Sequence, residues 1–231
     1  MPTFNLSKPD RPVEVGVILM NGETEILDVA PVDMIHCFGK QFIETLPDEW
    51  VPKGVKAQAI DFRFHWVAQR GDAVASRLTS GITLVPTDSF ESCPPLDIVL
   101  IGAHNVGYTP NEVELEFVRK SWDNCSAFLT ICGGIEVALQ AGILEGKTAA
   151  APRFFLDTLR TKAPATNWLE KRWTRDGKLW TSGAFLNGTD LVYAFAHSTW
   201  GGEGTPAAWM SALGCWPVRD VDYKDEPRQN L

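Results

Sequence analysis

The sequence lacks any hydrophobic run long enough to cross a membrane. Its apolar segments fall short of the roughly 18 residues that a membrane-spanning helix needs. Residues 1–12 are polar and proline-rich, which is unlike a secretory signal. We therefore expect a cytoplasmic protein with no membrane partner.

The sequence also lacks a basic stripe. Its 231 residues include 21 Lys and Arg against 29 Asp and Glu, which gives a formal net charge of −8. A protein that binds nucleic acid needs clustered cations to displace the counterions of the phosphates. This charge balance argues against a nucleic-acid partner.

Cysteines are few, and their spacing matches no known framework. The chain has five, an odd number with no C-x-x-C pair, at Cys37, Cys93, Cys125, Cys132 and Cys215. This pattern predicts neither a disulfide framework nor a zinc site. We expect free thiols in a reducing compartment and no metal.

What is present is an alternation of strand and helix patterns. Apolar runs precede amphipathic segments three times, at 13–20 and about 28–37, at 96–101 and 111–123, and at 126–131 and 134–143. Near-continuous apolar strands are typical of a parallel sheet that is covered on both faces. The sequence therefore predicts an α/β fold with a mostly parallel central sheet.

Further elements lie between and after these repeats. The pattern predicts a strand at 64–69, hairpins through 81–86 and around Asp176-Gly177, a helix at about 189–200 and an insertion at 46–60. We expect an N-terminal extension at 1–12, a single domain at 13–200, and a tail at 201–231 that is packed on the domain or partly mobile.

The stretch SAFLTICGGIEVALQAGIL, residues 126–144, turns from a strand pattern into a helix at Cys132. Such a sharp turn, a nucleophile elbow, holds its side chain out above the sheet, and Gly133 and Gly134 provide room. A helix N-terminus lowers the pKa of a thiol, so we expect Cys132 to be the most reactive cysteine. The alternative is a small buried hydrophobic residue, because Thr130 replaces the first glycine of the elbow pattern. The other cysteines are assigned structural roles.

Four stretches carry a more specific signal: VGVILMNGETEILDVAPVDMI, TSGITLVPTDSFESCPPLDIVLIGA, LTICGGIEVALQAGILEGKTAAAP and WTRDGKLWTSGAFLNGTDL. They resemble the PfpI family of the class I glutamine amidotransferase-like superfamily, and above all its isocyanide hydratase-like subgroup. The resemblance implies a three-layer flavodoxin-like sandwich and a homodimer with its active site close to the interface. Trp168, Trp173 and Trp180 give the dimer weak independent support, because large aromatic side chains are enriched at interfaces. The alternative is that they pack against the insertion within one chain.

The same resemblance assigns roles to individual residues. It implies that Cys132 is the nucleophile and that a carboxylate from the first loop lies beside it. Asp28 is the preferred acid, although it lies three residues before Pro31 where the family usually has four. Glu25 is the second candidate, and Asp28 has the alternative role of a helix N-cap.

Backbone N–H groups are expected to form the oxyanion site. The resemblance implies Gly133 and the Gly102-Ala103 turn as the donors. His104, on the same turn, has either a catalytic or substrate-orienting role or simply a solvated position. Because Gly133 and Pro152 occupy places where several family branches have a histidine, a hydrolytic Cys-His-acid triad is not supported.

A thiol with one carboxylate suits addition to an electrophilic carbon. The resemblance implies a lyase without a cofactor that converts a small isocyanide into an N-substituted formamide. The alternatives are another cysteine-dependent lyase, a glyoxalase-like or biosynthetic enzyme, and a non-catalytic redox sensor.

Overall fold

The computed structural model describes residues 4–224 and residue 226. The strands in this part of the chain are β1 Val13–Leu19, β2 Phe62–Ala68, β3 Ser76–Arg77, β4 Thr83–Leu84, β5 Asp88–Ser89, β6 Ile98–Ile101, β7 Ala127–Ile131, β8 Thr148–Ala150, β9 Asn167–Leu169, β10 Trp173–Asp176 and β11 Leu179–Ser182. The α-helices are α1 Ile26–Val29, α2 Val32–Cys37, α3 Lys40–Ile43, α4 Glu112–Asn124, α5 Gly134–Gln140, α6 Leu156–Lys162, α7 Asn187–Trp200 and α8 Pro206–Leu213.

The main sheet has seven strands in the order β10-β11-β7-β6-β1-β2-β5. Every neighbouring pair is parallel except β10 with β11, which form an antiparallel hairpin. Its turn is Asp176-Gly177, as predicted, and Gly177 has the positive φ of 62° that such a tight turn requires. The α/β fold with a mostly parallel central sheet is confirmed.

Alternate residues of β1 point into two separate cores. Val15 and Val17 belong to a core that also contains side chains of α2, α7 and α8. Ile18 belongs to the other core, together with side chains of α4, α5 and α6. Because side chains alternate across a strand, one central strand supports helical layers on both faces. The three-layer sandwich is confirmed.

The helix predicted at about 28–37 is two short helices, α1 and α2. A continuous helix would need an N–H at residue 31 to bond the carbonyl of Leu27, and Pro31 has none. Helix α1 begins at Ile26 with Glu25 as its N-cap, so Asp28 lies in the first turn and is not the cap residue.

The part of the chain beyond residue 200 contains a helix that was not predicted, α8. Thr205 caps it by accepting a hydrogen bond from the backbone N–H of Ala208 at 3.3 Å, and Pro206 is its first residue. A capping threonine followed by proline is a recognised helix start, so the signal was in the sequence. No helix among the described residues is long and apolar enough to cross a membrane.

The tryptophans offered in support of a dimer lie inside one chain. Trp168 and Trp180 are buried, and Trp173 stacks on Trp180 with ring centroids 5.8 Å apart. Trp180 also contacts the ring of Phe195 on α7 edge to face. Burial within one chain accounts for Trp168 and Trp180, and the half-buried Trp173 stacks on one of them, so these side chains give no independent support for a dimer.

Candidate active site

Cys132 lies at the carboxyl end of β7, immediately before α5. Its φ of 55° falls in the left-handed region that non-glycine residues rarely adopt. Close packing fixes this elbow, since a Cβ on Gly134 would lie 2.3 Å from the carbonyl oxygen of Ile101. The thiol is not held out in solvent as expected: Cys132 is only 8% exposed. The backbone is an elbow, and the side chain is buried.

Asp28 is fully buried beside this elbow. Its Oδ2 accepts a hydrogen bond of 3.0 Å from the backbone N–H of Ala103. Gly102 provides the space, because a Cβ there would lie 2.8 Å from the Cβ of Asp28 and 2.9 Å from Cγ1 of Val29. The turn after β6 therefore holds the carboxylate in place.

Two predicted roles around Asp28 are wrong. The N–H of Ala103 was expected in the oxyanion site, and the structure uses it to bind the carboxylate. Asp28 does not cap a helix either, because Glu25 is the N-cap of α1 and accepts from the N–H of Leu27 at 3.5 Å. Glu25 also accepts a 3.0 Å hydrogen bond from the Thr79 hydroxyl, so its carboxylate serves the local fold.

Burial raises the pKa of Asp28 to about 7, and the nearby charge of Glu25 acts in the same direction. The hydrogen bond from the Ala103 N–H opposes this rise in pKa, and the Cys132 side chain and the Phe185 backbone act in the same lowering direction. The second carboxylate oxygen, Oδ1, is buried and makes no hydrogen bond of standard geometry with the described residues. Asp28 can therefore bind or release a proton near neutral pH.

The pKa of Cys132 is raised to about 12, first by burial and then by the charge of Asp28. The N–H groups of Gly133 and Phe185 lower it, but by less. Burial and the Asp28 charge act against the lowered pKa that we expected from the helix N-terminus, and they favour the protonated thiol.

The Phe185 N–H belongs to a loop, Gly183–Leu186, that joins β11 to α7. Phe185 has a φ of 49°, again in the left-handed region, and the carbonyl of Gly183 accepts a 3.2 Å hydrogen bond from the N–H of Cys132. Sequence reasoning missed this loop. One signal could have identified the loop, namely its position directly after β11. This strand pairs in parallel with β7, and ligands bind beyond the carboxyl ends of such strands.

A cavity of about 380 Å³ opens above Cys132. Its lining includes Cys132, Gly133, Ala103, His104, Tyr108, Val137, Phe154 and Phe155. Nε2 of His104 is buried without a hydrogen-bond partner among the described residues. Burial lowers the pKa of His104 to about 4, so the ring is neutral at physiological pH.

The remaining wall of this cavity is mainly apolar. Phe154 and Phe155 stand on one side, and Val137 of α5 on another. Glu136 also lines the cavity, but its carboxylate lies 3.6 Å from Nζ of Lys162. A small substrate with an apolar group fits this lining better than a charged one.

A larger cavity of about 670 Å³ lies at the other end of the sheet, between Pro12 and Trp200. It contains none of the predicted site residues, and its Arg11 forms a bidentate ion pair with Asp97 at 2.7 and 2.8 Å. The smaller cavity is the better candidate because it contains Cys132, the predicted nucleophile. Within the described part of the chain, no cluster of three or more His, Cys, Asp or Glu side chains could hold a metal ion.

The model of the DJ-1/PfpI family matches residues 53–197. The chain belongs to the DJ-1/PfpI family. The matched range includes the Cys132 elbow and the Gly102-Ala103 turn, while Asp28 lies outside it. Isonitrile hydratase from Pseudomonas putida is 32% identical over 148 residues, which are 63% of this chain and 63% of that protein. The similarity thus spans less than two thirds of this relative.

Solved structures of the family have the same fold. DJ-1beta from Drosophila melanogaster is 14% identical, has a TM-score of 0.69, and is matched over 90% of this chain and 100% of its own. A ThiJ/PfpI family protein from Pseudomonas syringae is 15% identical with a TM-score of 0.67, over 91% of this chain and 77% of its own. An AraC family transcriptional regulator from Pseudomonas putida is 14% identical with a TM-score of 0.65, over 87% and 99%.

Proposed function

We propose that this protein is a cysteine-dependent hydratase that adds water to a small isocyanide and releases an N-substituted formamide. The observation that carries the proposal is the buried pair of Cys132 and Asp28, in which a protonated thiol faces a carboxyl group with a pKa of about 7. The identity to isonitrile hydratase supports the same chemistry.

An isocyanide suits this pair because its terminal carbon takes both a nucleophile and a proton. Asp28, as carboxylate, accepts the proton of the Cys132 thiol and passes it to that carbon while Sγ forms the C–S bond. The product is a thioimidate, R–N=CH–S–Cys. The thiolate never has to exist free, so the raised pKa of Cys132 is compatible with catalysis.

Water then adds across the C=N bond of the thioimidate. The resulting R–NH–CH(OH)–S–Cys loses the thiol, which regenerates Cys132 and gives R–NH–CHO. In this proposal Asp28 takes the proton from the water and delivers a proton to the nitrogen, and the Gly133 N–H stabilises the departing sulfur. The free Nε2 of His104 is proposed to orient the reacting group through a hydrogen bond.

The lining of the cavity suggests the kind of R group. Val137, Phe154 and Phe155 favour an apolar or aromatic group of modest size, since about 380 Å³ has to hold the whole substrate. The free thiols agree with the proposed cytoplasmic location, where they stay reduced.

A second candidate is a glyoxalase-like conversion of an α-oxoaldehyde by the same residues. It is favoured by the neutral imidazole of His104 in the Cys132 cavity, which could exchange a proton with a carbonyl substrate. A redox sensor is less well supported, because a buried thiol with a raised pKa reacts slowly with peroxide.

Turnover of an aromatic isocyanide and of methylglyoxal, by wild type and by Cys132→Ser, tests the proposal. We expect formamide production by wild type and a loss of roughly 10³-fold or more in Cys132→Ser, since the hydroxyl is a much poorer nucleophile here. Cys125→Ala is the control and should retain activity. Turnover of methylglyoxal alone would favour the second candidate, and full activity of Cys132→Ser would rule out both.

A further inference from the structure

The C-terminal segment of the chain is connected to the nucleophile by a row of backbone hydrogen bonds. The N–H of Arg172 donates to the carbonyl of Val221 at 2.8 Å, and the N–H of Gly183 donates to the carbonyl of Arg172 at 2.9 Å. The N–H of Cys132 in turn donates to the carbonyl of Gly183 at 3.2 Å. We call residues Arg219–Tyr223 the C-terminal strap.

Arg219 attaches the strap to the far end of the Gly183–Leu186 loop. Its Nη2 donates to the carbonyl of Leu186 at 3.1 Å, and its Nε donates to Oδ1 of Asp190 at 3.0 Å. Asp190 is only 3% exposed and lies in the first turn of α7. This charge-assisted pair therefore fixes the strap where the loop enters the helix.

Tyr223 attaches the strap to the near end of the loop. Its ring lies between the guanidinium groups of Arg153 and Arg172, which are 4.5 and 4.7 Å from the ring centroid. A Cβ on Gly183 would lie 2.6 Å from the Tyr223 hydroxyl oxygen, so the ring packs directly on that glycine. Arg153 precedes Phe154 of the cavity wall, so the strap contacts the loop directly and the wall only through this neighbouring residue.

The loop between these two attachments has a conformation that needs support. Phe185 has a φ of 49° and a side chain 46% exposed, so its own burial contributes little to holding it. A left-handed non-glycine residue persists only where its surroundings impose that conformation. Its backbone N–H lowers the pKa of both the Cys132 thiol and the Asp28 carboxyl.

We propose that the C-terminal strap is a positioning element of the active site, which holds the Gly183–Leu186 loop so that the Phe185 N–H stays beside Cys132 and Asp28. Arg219 and Tyr223 are positioning residues, since neither lines the cavity. The inference rests on Cys132 being the functional thiol of the proposed function, but it does not depend on the identity of the substrate.

The variants Arg219→Met and Tyr223→Ala each remove one attachment. Arg175→Met and Tyr193→Ala are matched controls: Arg175 stacks on Trp180 in the β10–β11 hairpin, and Tyr193 stacks on His197 along α7. Iodoacetamide labelling followed by peptide mapping, at several pH values, measures access to Cys132. The fully buried Cys125 reports global unfolding in the same sample.

Release of the strap should open the loop locally. We expect Cys132 to be labelled roughly tenfold faster in Arg219→Met and Tyr223→Ala, with Cys125 and both control variants unchanged. The pH dependence of labelling should shift towards lower pH, because burial is the main cause of the raised pKa of Cys132. Isocyanide turnover should fall through kcat with little change in KM.

Unchanged labelling of Cys132 in both strap variants would overturn the proposal. Parallel acceleration at Cys125 would also overturn it, since the strap would then support the whole fold and not the site. Faster labelling of Cys132 in a protein that fails to convert isocyanides would support the strap and reject the proposed function instead.

Discussion

Two buried cysteines flank strand β7, and they face very different surroundings. Cys125 is the C-cap of helix α4 before the strand, and Cys132 directly follows the last residue of the strand. Burial raises the pKa of both thiols to about 12. Cys125 has an ordinary φ of −74°, and its thiol lies 3.5 Å from the carbonyl oxygen of Trp122. Cys132 has a left-handed backbone, a carboxyl group beside it and a cavity above it.

Because both pKa values are raised alike, the pKa of the thiol does not separate the proposed nucleophile from a structural cysteine. What separates the two cysteines is a neighbouring group that can accept a proton. Asp28 is such a group for Cys132. For Cys125, the charged group with the largest effect on the pKa is the Lys178 cation, which cannot accept a proton. The proposed chemistry therefore requires the pair of Cys132 and Asp28 and not the sulfur alone.

Removing the proton acceptor should therefore have the largest effect. We expect Asp28→Ala to lower isocyanide turnover by roughly 10²-fold or more, the usual contribution of a positioned acid or base. Glu25→Ala is the matched carboxylate control, and it should cost about 1 kcal/mol of stability through the lost cap with little loss of activity. Full activity in Asp28→Ala with loss in Glu25→Ala would show that the acid was assigned wrongly.

The pH dependence of stability tests the raised pKa of Asp28. The folded chain binds this proton more tightly than the unfolded chain, whose reference pKa is 3.8. The contribution of Asp28 to stability is therefore present below about pH 4 and is lost as the pH rises through about 7. Relative to wild type, Asp28→Asn should gain roughly 2 kcal/mol between about pH 5 and about pH 8.

Denaturant midpoints at the two pH values measure this gain. Asp48→Asn is the control, because Lys56 lowers the pKa of the exposed Asp48 carboxyl and no such gain is expected over this range. A difference between Asp28→Asn and wild type that is the same at both pH values would contradict a raised pKa for Asp28.

The order of thiol labelling tests whether the two buried cysteines, Cys132 and Cys125, differ in accessibility. At neutral pH we expect iodoacetamide to label the exposed Cys215 first, Cys132 later and Cys125 last, with roughly tenfold or more between successive sites. Labelling of Cys132 ahead of Cys215 would instead indicate that the pKa of Cys132 is lowered, as the sequence suggested. Equal rates at Cys132 and Cys125 would mean that the cavity gives no access to the nucleophile.

The homodimer stays a prediction, and it now rests on the family resemblance alone. Because the core of one chain accounts for the tryptophans, we expect no change of oligomeric state in Trp173→Phe. Sedimentation at micromolar concentration should give about twice the chain mass of 25.5 kDa. A single species at the chain mass would reject the dimer.

Local sequence signals predicted the backbone elements that surround the site. The elbow at Cys132 and the hairpin at Asp176-Gly177 depend on neighbouring residues, so a strand pattern and adjacent glycines were sufficient. The choice of acid between Asp28 and Glu25 was open because Asp28 lies three residues before Pro31, where the family usually has four. In the structure Glu25 is the N-cap of α1, and Asp28 is the buried carboxylate that binds the Ala103 N–H, so Asp28 stays the preferred prediction.

Long-range contacts account for what the sequence did not predict. The N–H of Ala103 binds Asp28 across 75 positions of the chain, and no local pattern could show that this donor is occupied. The contribution of Phe185 depends on how β11 pairs with β7. The raised pKa of Cys132 follows from burial in the assembled core, which a helix N-terminus read from sequence does not reveal.

The most direct test of the central claim is to trap the covalent intermediate. Wild-type protein mixed with an aromatic isocyanide, quenched within the first turnover and mapped by mass spectrometry should carry the mass of one isocyanide on Cys132. Cys125 should carry none, and Asp28→Ala should accumulate the adduct far more slowly. Formamide production with no adduct on Cys132, or an adduct on Cys125 at the same rate, would contradict the account.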